Sequence, residues 1–393
     1  MNVLLLATLF KLPYRVLRCA AAMPAEVCVL GGPGARGLES STFCRRFVPA
    51  AAAIDGQPSE ALAAEIDAVA QRLGIDAVIA ADAPATRSLI ASRPWLQTRC
   101  FPMPDLASFD LLNDKWRFGG LCQELGLARP ATTLCDSLAD LEAKLADWPE
   151  SRALLAKPLD WDGGRGHVRL QGPRRRRAAA RIDYQPILVQ EFINGADLSA
   201  SIHCREGAIR ACVTQAYTRG LYTAYHDAGI HRQLTRIAAS LRLEGMFNFD
   251  LRTDASGRVY FLECNPRVFF SMKMAALAGI NFLRLGLAEA EAGEPLVAPQ
   301  SPVRIHFPRA FASALRSPHS FRETAWPTLK FLLADPTPYV REKLGLEREH
   351  PPRTGQASGR QRPSLAHIEG ARRERNISGM EALQIRRTGG AGA

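Results

Sequence analysis

Two short segments near residue 250 carry carboxylates and carboxamides at alternate positions. Asn248 and Asp250 alternate with apolar residues in MFNFDLR, and Glu263 and Asn265 lie two apart in RVYFLECN. Successive side chains of a strand point to opposite faces, so each polar pair lies on one face of its strand. The turn-forming residues 254–257 between the segments predict a β-hairpin.

Pairing of these strands would gather the four polar side chains. If Thr253 pairs with Arg258 around a four-residue turn, Asn248 lies opposite Glu263 and all four polar residues share one face. The apolar opposite face would consist of Phe247, Phe249, Leu251, Tyr260 and Leu262. Neighbouring carboxylates repel unless a cation lies between them, and Mg²⁺ prefers oxygen ligands. The pattern favours a metal–phosphate site, with a solvent-facing sheet surface as the alternative.

A lysine and a glycine-rich loop come earlier in the chain. Lys157 ends the apolar segment ALLAKP, and the loop 162–166, DGGRG, follows it. Glycines lack β-carbons, so backbone N–H groups can approach phosphate oxygens closely. This favours a polyphosphate site, and a surface lysine beside a hairpin turn is the alternative. The later segment ILVQEFINGAD offers a strand end for an adenine edge, with Asp197 available for ribose hydroxyls.

The elements that position these residues follow from apolar periodicity. Alternation of strand and helix patterns over the first hundred residues is typical of a parallel βαβ sheet. We predict strands at 3–9, 26–30 and 76–80, and helices at 14–22 and 59–73. The first apolar run is predicted to be a buried strand rather than a signal peptide, because its basic residues follow it. The glycine cluster 31–34 is interpreted as a turn.

The middle of the chain mixes helices with antiparallel strands. We predict helices at 109–127, 137–148 and 230–242. Strands and hairpins are predicted between 153 and 216, followed by the hairpin 246–265. After about residue 350, Arg, Gly, Pro and Ser dominate without periodicity, which predicts disorder.

Composition excludes several classes of protein. The chain has 393 residues, 47% of them hydrophobic and 23% charged, and no apolar run approaches the roughly 20 residues of a membrane span. Nine cysteines without a CxxC pair favour neither a disulfide framework nor a zinc site, so we expect a cytoplasmic protein. The net charge of +11 is concentrated in 174–177 and 351–393, which argues against a nucleic-acid-binding surface.

Four segments in order along the chain resemble the motifs of the ATP-grasp superfamily: NDKWRF–ELGLARPAT, LLAKP–DGGRG, VQEFINGADLS and NFDLRTDASGRVYFLECNPR. Members of this superfamily include D-alanine–D-alanine ligase, biotin carboxylase and carbamoyl phosphate synthetase, and ECNPR is most similar to the carbamoyl phosphate synthetase and biotin carboxylase branch. The resemblance covers residues 1 to about 290. It implies an α/β fold in which two α+β lobes sandwich ATP beside an N-terminal parallel lobe.

This resemblance divides the chain into five predicted parts. They are a Rossmann-like domain at 1–105, a lid subdomain at 106–190, a subdomain with the metal site at 191–310, a helical extension at 311–350 and a disordered basic tail at 351–393.

The resemblance also implies roles for individual residues. Those implied to bind ATP are Lys115, Lys157, Gly163, Gly164, Gly166, Gln190, Glu191, Ile193 and Asp197. Those implied to bind one or two Mg²⁺ ions, for which Mn²⁺ can substitute, are Asp250, Glu263 and Asn265. Arg267 would steady an acyl phosphate, and Lys157 would share in catalysis. Many members have Glu where Asp197 stands, so ribose binding is less defined than ATP binding.

The implied activity is that of an ADP-forming carboxylate–amine ligase acting on small, amino-acid-like substrates. A substrate carboxylate would attack the γ-phosphate, and an amine would then attack the acyl phosphate. A phosphotransferase and a nucleotide-binding regulatory protein without turnover are the alternatives. Substrate choice is expected from the edge of the first lobe and a loop at 217–229. No membrane or specific nucleic-acid partner is expected, and a homodimer stays open.

Overall fold

The computed structural model describes residues 1–161, 163–218, 220–288, 296–306, 319 and 321–346. These residues belong to one unit, residues 1–350, and the predicted tail at 351–393 lies outside them. Three sheets follow one another along the unit. The predicted boundaries near 105, 190 and 310 stay predictions.

The first sheet is parallel and has the order β3-β2-β1-β4. Its strands are β1 (Asn2–Ala7), β2 (Glu26–Gly31), β3 (Cys44–Pro49) and β4 (Ala77–Ala80). The helices that cover it are α1 (Lys11–Ala21), α2 (Glu60–Leu73) and α3 (Ala83–Ser92). The first apolar segment is therefore a strand, as predicted, and it is buried between β2 and β4. The glycine cluster is a packing turn, because a β-carbon on Gly34 would lie 2.6 Å from the Thr8 carbonyl oxygen.

The helix predicted at 109–127 is wrong in one respect, because the structure divides it. Helices α4 (Leu106–Asn113) and α5 (Lys115–Glu124) meet at Asp114, whose backbone is extended. The Asp114 carboxylate accepts hydrogen bonds from the backbone N–H groups of Trp116 and Arg117, at 2.9 and 3.0 Å. Asp114 is thus the N-cap of α5, and this capping satisfies N–H groups at the helix start. The consequence is that Lys115 begins a helix instead of lying in its middle.

The second sheet is antiparallel, in the order β5-β8-β6-β7. Its strands are β5 (Thr132–Cys135), β6 (Leu154–Lys157), β7 (Val168–Leu170) and β8 (Ile187–Glu191). Helices α6 (Leu138–Leu145) and α7 (Arg175–Ala179) pack against it over a small separate core. Lys157 is the last residue of β6, so the strand fixes where the glycine loop begins.

The third sheet has six strands, in the order β13-β12-β9-β10-β11-β14. They are β9 (Gly195–Arg205), β10 (Ala208–Thr218), β11 (Leu221–Tyr225), β12 (Gly245–Asp254), β13 (Val259–Asn265) and β14 (Val303–His306). Helices in this part of the chain are α8 (Ala228–Leu241), α9 (Met272–Leu277) and α10 (Phe282–Leu287). The loop predicted at 217–229 is wrong for much of its length, because β11 pairs there with β10.

Two cores lie on opposite faces of this third sheet. One face packs against α5 and α8, and the other joins the core of the first sheet. The candidate site lies on the second face. Helices α11 (Trp326–Leu333) and α12 (Pro336–Lys343) fall within the predicted helical extension, and Asp335 between them is buried against Ser41 and Thr42. Among the described residues, no helix is long and apolar enough to cross a membrane.

Candidate active site

The hairpin of β12 and β13 brings the two predicted metal-binding carboxylates directly opposite each other. Asp250 pairs with Glu263. Asn248, predicted to lie opposite Glu263, pairs with Asn265 instead. All four side chains share one face of the sheet, as strand alternation predicts.

The predicted register of this hairpin is wrong by two residues, for two physical reasons. Thr253 pairs with Val259 and not with Arg258, because the turn contains one more residue than predicted. A β-bulge next to Asp250 then adds a second residue, Leu262, to β13. Together the two shifts amount to two residues. A shift by an even number changes the pairing partners but keeps each side chain on its predicted face.

The bulge also changes which residues form the apolar face. The buried residues of the hairpin's apolar face are Phe247, Phe249, Leu251, Phe261 and Cys264. Tyr260 and Leu262, predicted to belong to this face, are partly exposed. Phe118 of α5 lies 6.0 Å from Phe249 and 6.4 Å from Phe261 between ring centroids. The polar face of the hairpin is therefore backed by an aromatic cluster.

A chain of hydrogen bonds fixes the amide next to the carboxylates. Asn248 donates to Asp250 at 3.1 Å and accepts from the Ser201 hydroxyl at 2.9 Å. Gln215 in turn donates to the Ser201 hydroxyl at 2.9 Å. Ser201, Gln215 and Asn248 are all buried, so this network holds Asp250 in one orientation.

The two opposing carboxylates are electrostatically unequal. Burial, together with the charge of Glu263, raises the pKa of Asp250 well above its usual range. Burial also disfavours ionisation of Glu263, but the positive charges of Lys115 and Lys157 outweigh it and lower the Glu263 pKa. A site that holds one carboxylate charged and resists charging the second is one that a bound cation would complete.

Lys115 connects three parts of the site. Its Nζ lies 3.3 Å from Glu263 Oε2 and donates to the carbonyl oxygens of Trp161 and Leu159, at 2.7 and 3.4 Å. Leu159 and Trp161 follow β6 and lead into the glycine loop. The ammonium group thus bridges the β12–β13 hairpin and the start of the loop.

Lys157 is one of the most deeply buried charged residues of the described chain. Its side chain is only 2% exposed. Burial lowers the pKa of Lys157 to about 8, and the nearby Lys115 adds to this while Glu263 and Asp250 oppose it. A buried ammonium group is strongly stabilised by an anion, and a phosphate would provide one.

The glycine loop combines an open tip with an anchored end. Asp162 lies outside the described residues, and Gly163, Gly164 and Gly166 all have positive φ, at 64°, 72° and 72°. No described atom lies within 4 Å of a β-carbon built on Gly163, whereas one on Gly166 would crowd Tyr184 and Pro158. Tyr184 also donates to the Gly166 carbonyl at 2.7 Å. Backbone conformation, not lack of space, therefore requires glycine at the loop tip.

The predicted adenine border lies at the end of β8. Gln190 is buried and contacts the Thr132 hydroxyl at 3.4 Å, and Ile193 is nearly buried. The Glu191 side chain lies 3.5 Å from Arg152, and its backbone N–H donates to the Ala131 carbonyl within the sheet. The backbone N–H groups of Glu191 and Phe192 are therefore both already used, since that of Phe192 donates to the Ala153 carbonyl at 2.9 Å.

Asp197 lies on the same face of the third sheet as Asp250. It pairs in register with Arg252 of β12, and Asp250 pairs with Ser199, two residues further along β9. Because two strand residues span about 7 Å, Asp197 lies about 7 Å along β9 from the residue that pairs with Asp250. The Asp197 side chain is 73% exposed, which leaves it accessible to a ligand.

Arg267 lies at the other end of the site and is 6% exposed. It donates to Asn265 Oδ1 and to the Val268 carbonyl, both at 3.0 Å. Arg267 also lines a cavity of about 20 Å³ between the first and third sheets. The remaining lining residues are Ala80, Thr86, Phe101, Pro102, Met103, Pro104, Met246, Pro266 and Val268. The cavity is therefore apolar except near Arg267 and Thr86.

The structure thus brings together Lys115, Lys157, Asp250 and Glu263. Lys115 contacts Glu263, and the charges of Lys115, Asp250 and Glu263 all act on the pKa of Lys157. The surroundings also include three residues that were not predicted from the sequence: Ser201, Gln215 and Arg252. Alternation along β9 could have indicated Ser201, since it lies on the face of Asp197. Among the described residues, no three His, Cys, Asp or Glu side chains are placed to share a metal ion.

Comparisons with known proteins bear on the fold. A family model described as "ATP-grasp in the biosynthetic pathway with Ter operon" matches residues 183–308, which contain the third sheet and its hairpin. No curated protein sequence matches the chain.

Solved structures resemble the chain over most of its length. An L-amino acid ligase from Bacillus licheniformis has a TM-score of 0.53 and 19% identity, over 73% of both chains. An N5-carboxyaminoimidazole synthetase from Staphylococcus aureus, complexed with ADP, has a TM-score of 0.58 and 13% identity, over 77% of this chain and 81% of its own. A biotin carboxylase complex from Campylobacter jejuni has a TM-score of 0.57 and 15% identity, over 77% and 74%.

The fold and the site together define the class of protein. The chain has the ATP-grasp fold, and the resemblance to the ATP-grasp superfamily is confirmed. At these identities the solved structures establish the fold alone.

Proposed function

We propose that this protein is an ATP- and magnesium-dependent ligase that activates a carboxylate as an acyl phosphate and transfers the acyl group to an amine. The observation that carries the proposal is the opposed pair of Asp250 and Glu263, flanked by Lys115 and the buried Lys157. Two carboxylates and two ammonium groups in one sheltered cleft suit a magnesium–polyphosphate ligand.

The metal-binding residues in this proposal are Asp250, Glu263 and Asn265, which bind one or two Mg²⁺ ions. The raised pKa of Asp250 supports the fit, because a cation beside it relieves the repulsion from Glu263. When bound, Mg²⁺ supplies positive charge that neutralises phosphate oxygens during transfer.

The nucleotide lies between the second and third sheets. Lys115 and Lys157 bind its phosphates, with the glycine loop closing over them. Gln190, Glu191 and Ile193 border the adenine, and Asp197 binds the ribose. Closure excludes water, which would otherwise hydrolyse the activated substrate.

The reaction then needs no covalent protein nucleophile. A substrate carboxylate oxygen attacks the γ-phosphorus in line, the bond from phosphorus to the β,γ-bridging oxygen breaks, and ADP leaves. The amine attacks the acyl carbon, inorganic phosphate leaves, and the nitrogen loses a proton. Lys157 stabilises charge on the transferred phosphoryl group, and Arg267 stabilises the acyl phosphate.

The test measures ADP release and traps the intermediate. The protein is incubated with Mg·ATP, a panel of small carboxylic acids and amino acids, and hydroxylamine, which converts an acyl phosphate to a hydroxamate. We expect substrate-dependent ADP and hydroxamate from the wild type, and an amide when an amine replaces hydroxylamine. A stable phosphorylated product would instead identify a phosphotransferase. Nucleotide binding without ADP release across the panel would identify a binding protein.

A further inference from the structure

One arginine next to the proposed nucleotide site has no part in the chemistry described so far. Arg252 Nη1 lies 2.6 Å from Asp197 Oδ1, and Arg252 Nη2 donates to the Gly195 carbonyl at 3.1 Å. The two residues face each other across β12 and β9. The guanidinium group therefore holds one oxygen of the carboxylate assigned to the ribose.

Arg252 is itself held in place on another side. Its guanidinium carbon lies 4.4 Å from the centre of the Phe192 ring, which follows β8 at the adenine border. Only 16% of the Arg252 side chain is exposed, whereas 73% of the Asp197 side chain is. The arginine is thus the fixed member of the pair and the aspartate is the accessible one.

This asymmetry argues against a purely structural ion pair. A pair with one well-exposed partner contributes little to stability, because water screens it and both side chains lose freedom. Holding an exposed carboxylate in one orientation strengthens ligand binding, because the side-chain entropy is lost before the ligand binds and not during binding.

The carboxylate keeps acceptor capacity for such a ligand. An ionised Asp side chain has about four lone-pair positions, and Arg252 uses one oxygen. Among the described residues, Asp197 Oδ2 accepts no hydrogen bond, and the side chain that carries it is 73% exposed. Ribose hydroxyl groups are donors of the right kind for this oxygen.

We propose that Arg252 is a positioning residue that orients Asp197 towards the ribose hydroxyls and so sets the preference for ribonucleotides over analogues that lack them. The inference rests on the proposed function in one respect, since it takes Asp197 as the ribose ligand. It requires neither a particular substrate carboxylate nor turnover.

The experiment measures equilibrium binding of Mg·ADP and of Mg·2′,3′-dideoxy-ADP by calorimetry on the full chain. The variants are D197N, R252M, R252K and the D197N/R252M double variant. The matched control is R205M, because Arg205 lies at the opposite end of β9 and pairs with Glu244 at 4.0 Å.

We expect the wild type to bind ADP at least about tenfold more tightly than the dideoxy analogue, the effect of a hydrogen bond to a charged group. In R252M that ratio falls to about two or less, mainly because ADP binding weakens. R252K retains part of the preference, since a lysine supplies charge without the two-pronged geometry. R205M leaves the ratio unchanged.

The double variant decides whether Arg252 acts through Asp197. If it does, D197N and D197N/R252M have the same ratio, since the second change removes nothing further. A wild-type ratio in R252M, with or without a lower melting temperature, overturns the proposal and leaves ATP binding intact. Failure of the wild type to bind ADP at all overturns the proposed function and this inference together.

Discussion

The hairpin 245–265 and the glycine loop 163–166 contribute to the same candidate site by opposite means. In the hairpin, strand pairing sets which side chains lie on the polar face, the Ser201 hydroxyl donates to Asn248, and buried aromatic rings back the opposite face. In the loop, a β-carbon built on Gly163 would meet no described atom within 4 Å, whereas Tyr184 anchors the other end at Gly166. The contrast suggests a division of labour: the sheet holds charge in place before the ligand arrives, and the loop responds to it.

The largest effect is expected from removing charge from the hairpin. Glu263→Gln should reduce ATP-dependent turnover about 1,000-fold, roughly 4 kcal/mol, because one metal–carboxylate contact is lost. The melting temperature should change little, since repulsion from Asp250 disappears along with the contact to Lys115. The control is Glu244→Gln, a carboxylate just before β12. Near wild-type turnover in Glu263→Gln would remove this residue from the metal site.

A smaller effect, on stability alone, is expected behind the hairpin. Phe261→Ala should lower the free energy of unfolding by about 3 kcal/mol, because the Phe118 and Phe249 rings lose a buried partner. Urea denaturation measures the loss, and Tyr260→Leu, which changes a partly exposed neighbour, should cost less than about 1 kcal/mol. Equal costs would mean that the bulge does not divide the two faces as described.

The glycine loop offers a matched pair of substitutions. Gly163 and Gly172 have φ of 64° and 61°, and a β-carbon on either would meet no described atom within 4 Å. Alanine at both positions should therefore carry the same backbone cost, about 1 kcal/mol. If the loop closes on phosphate, Gly163→Ala should also lower turnover about tenfold, while Gly172→Ala should not. Equal turnover in the two variants would make residues 163–166 an ordinary turn.

The smallest expected effect is a change in exchange rate. Binding of Mg·ADP should slow amide hydrogen exchange in residues 163–168 by a few-fold to tenfold, because the ligand orders an open segment. The strands of the hairpin should change less, since their amides are already paired within the sheet. Slowing confined to the hairpin, with none in 163–168, would reverse the roles given to the two regions.

Sequence alone predicted the shared face of Asn248, Asp250, Glu263 and Asn265, because alternation along a strand depends on nothing beyond local geometry. Their partners could not be predicted, because the turn length and the bulge at Leu262 depend on how the strands pack. The division of the helix at Asp114 was visible in principle, as Asp is a favoured N-cap residue. The periodic apolar pattern predicted one continuous helix instead.

The surroundings of Asp197 show a second limit to what can be predicted from the sequence. Asp197 was identified through resemblance to a family motif, whereas Arg252 lies 55 positions away and contacts it only because β9 and β12 are neighbours. The same holds for Gln215, which reaches Asn248 through Ser201. Residues that act through pairing between distant strands leave no signal in a single sequence.

The bulge at Leu262 also has a consequence for insertions and deletions. On one side of it Leu251 pairs with Phe261, and on the other Asp250 pairs with Glu263, so Leu262 is the one residue of β13 that the ladder skips. A chain lacking Leu262 would keep both pairings and every facing direction, whereas loss of Cys264 would turn either Glu263 or Asn265 away from the cleft. Length variation in this strand is therefore tolerable at one position and damaging at its neighbours.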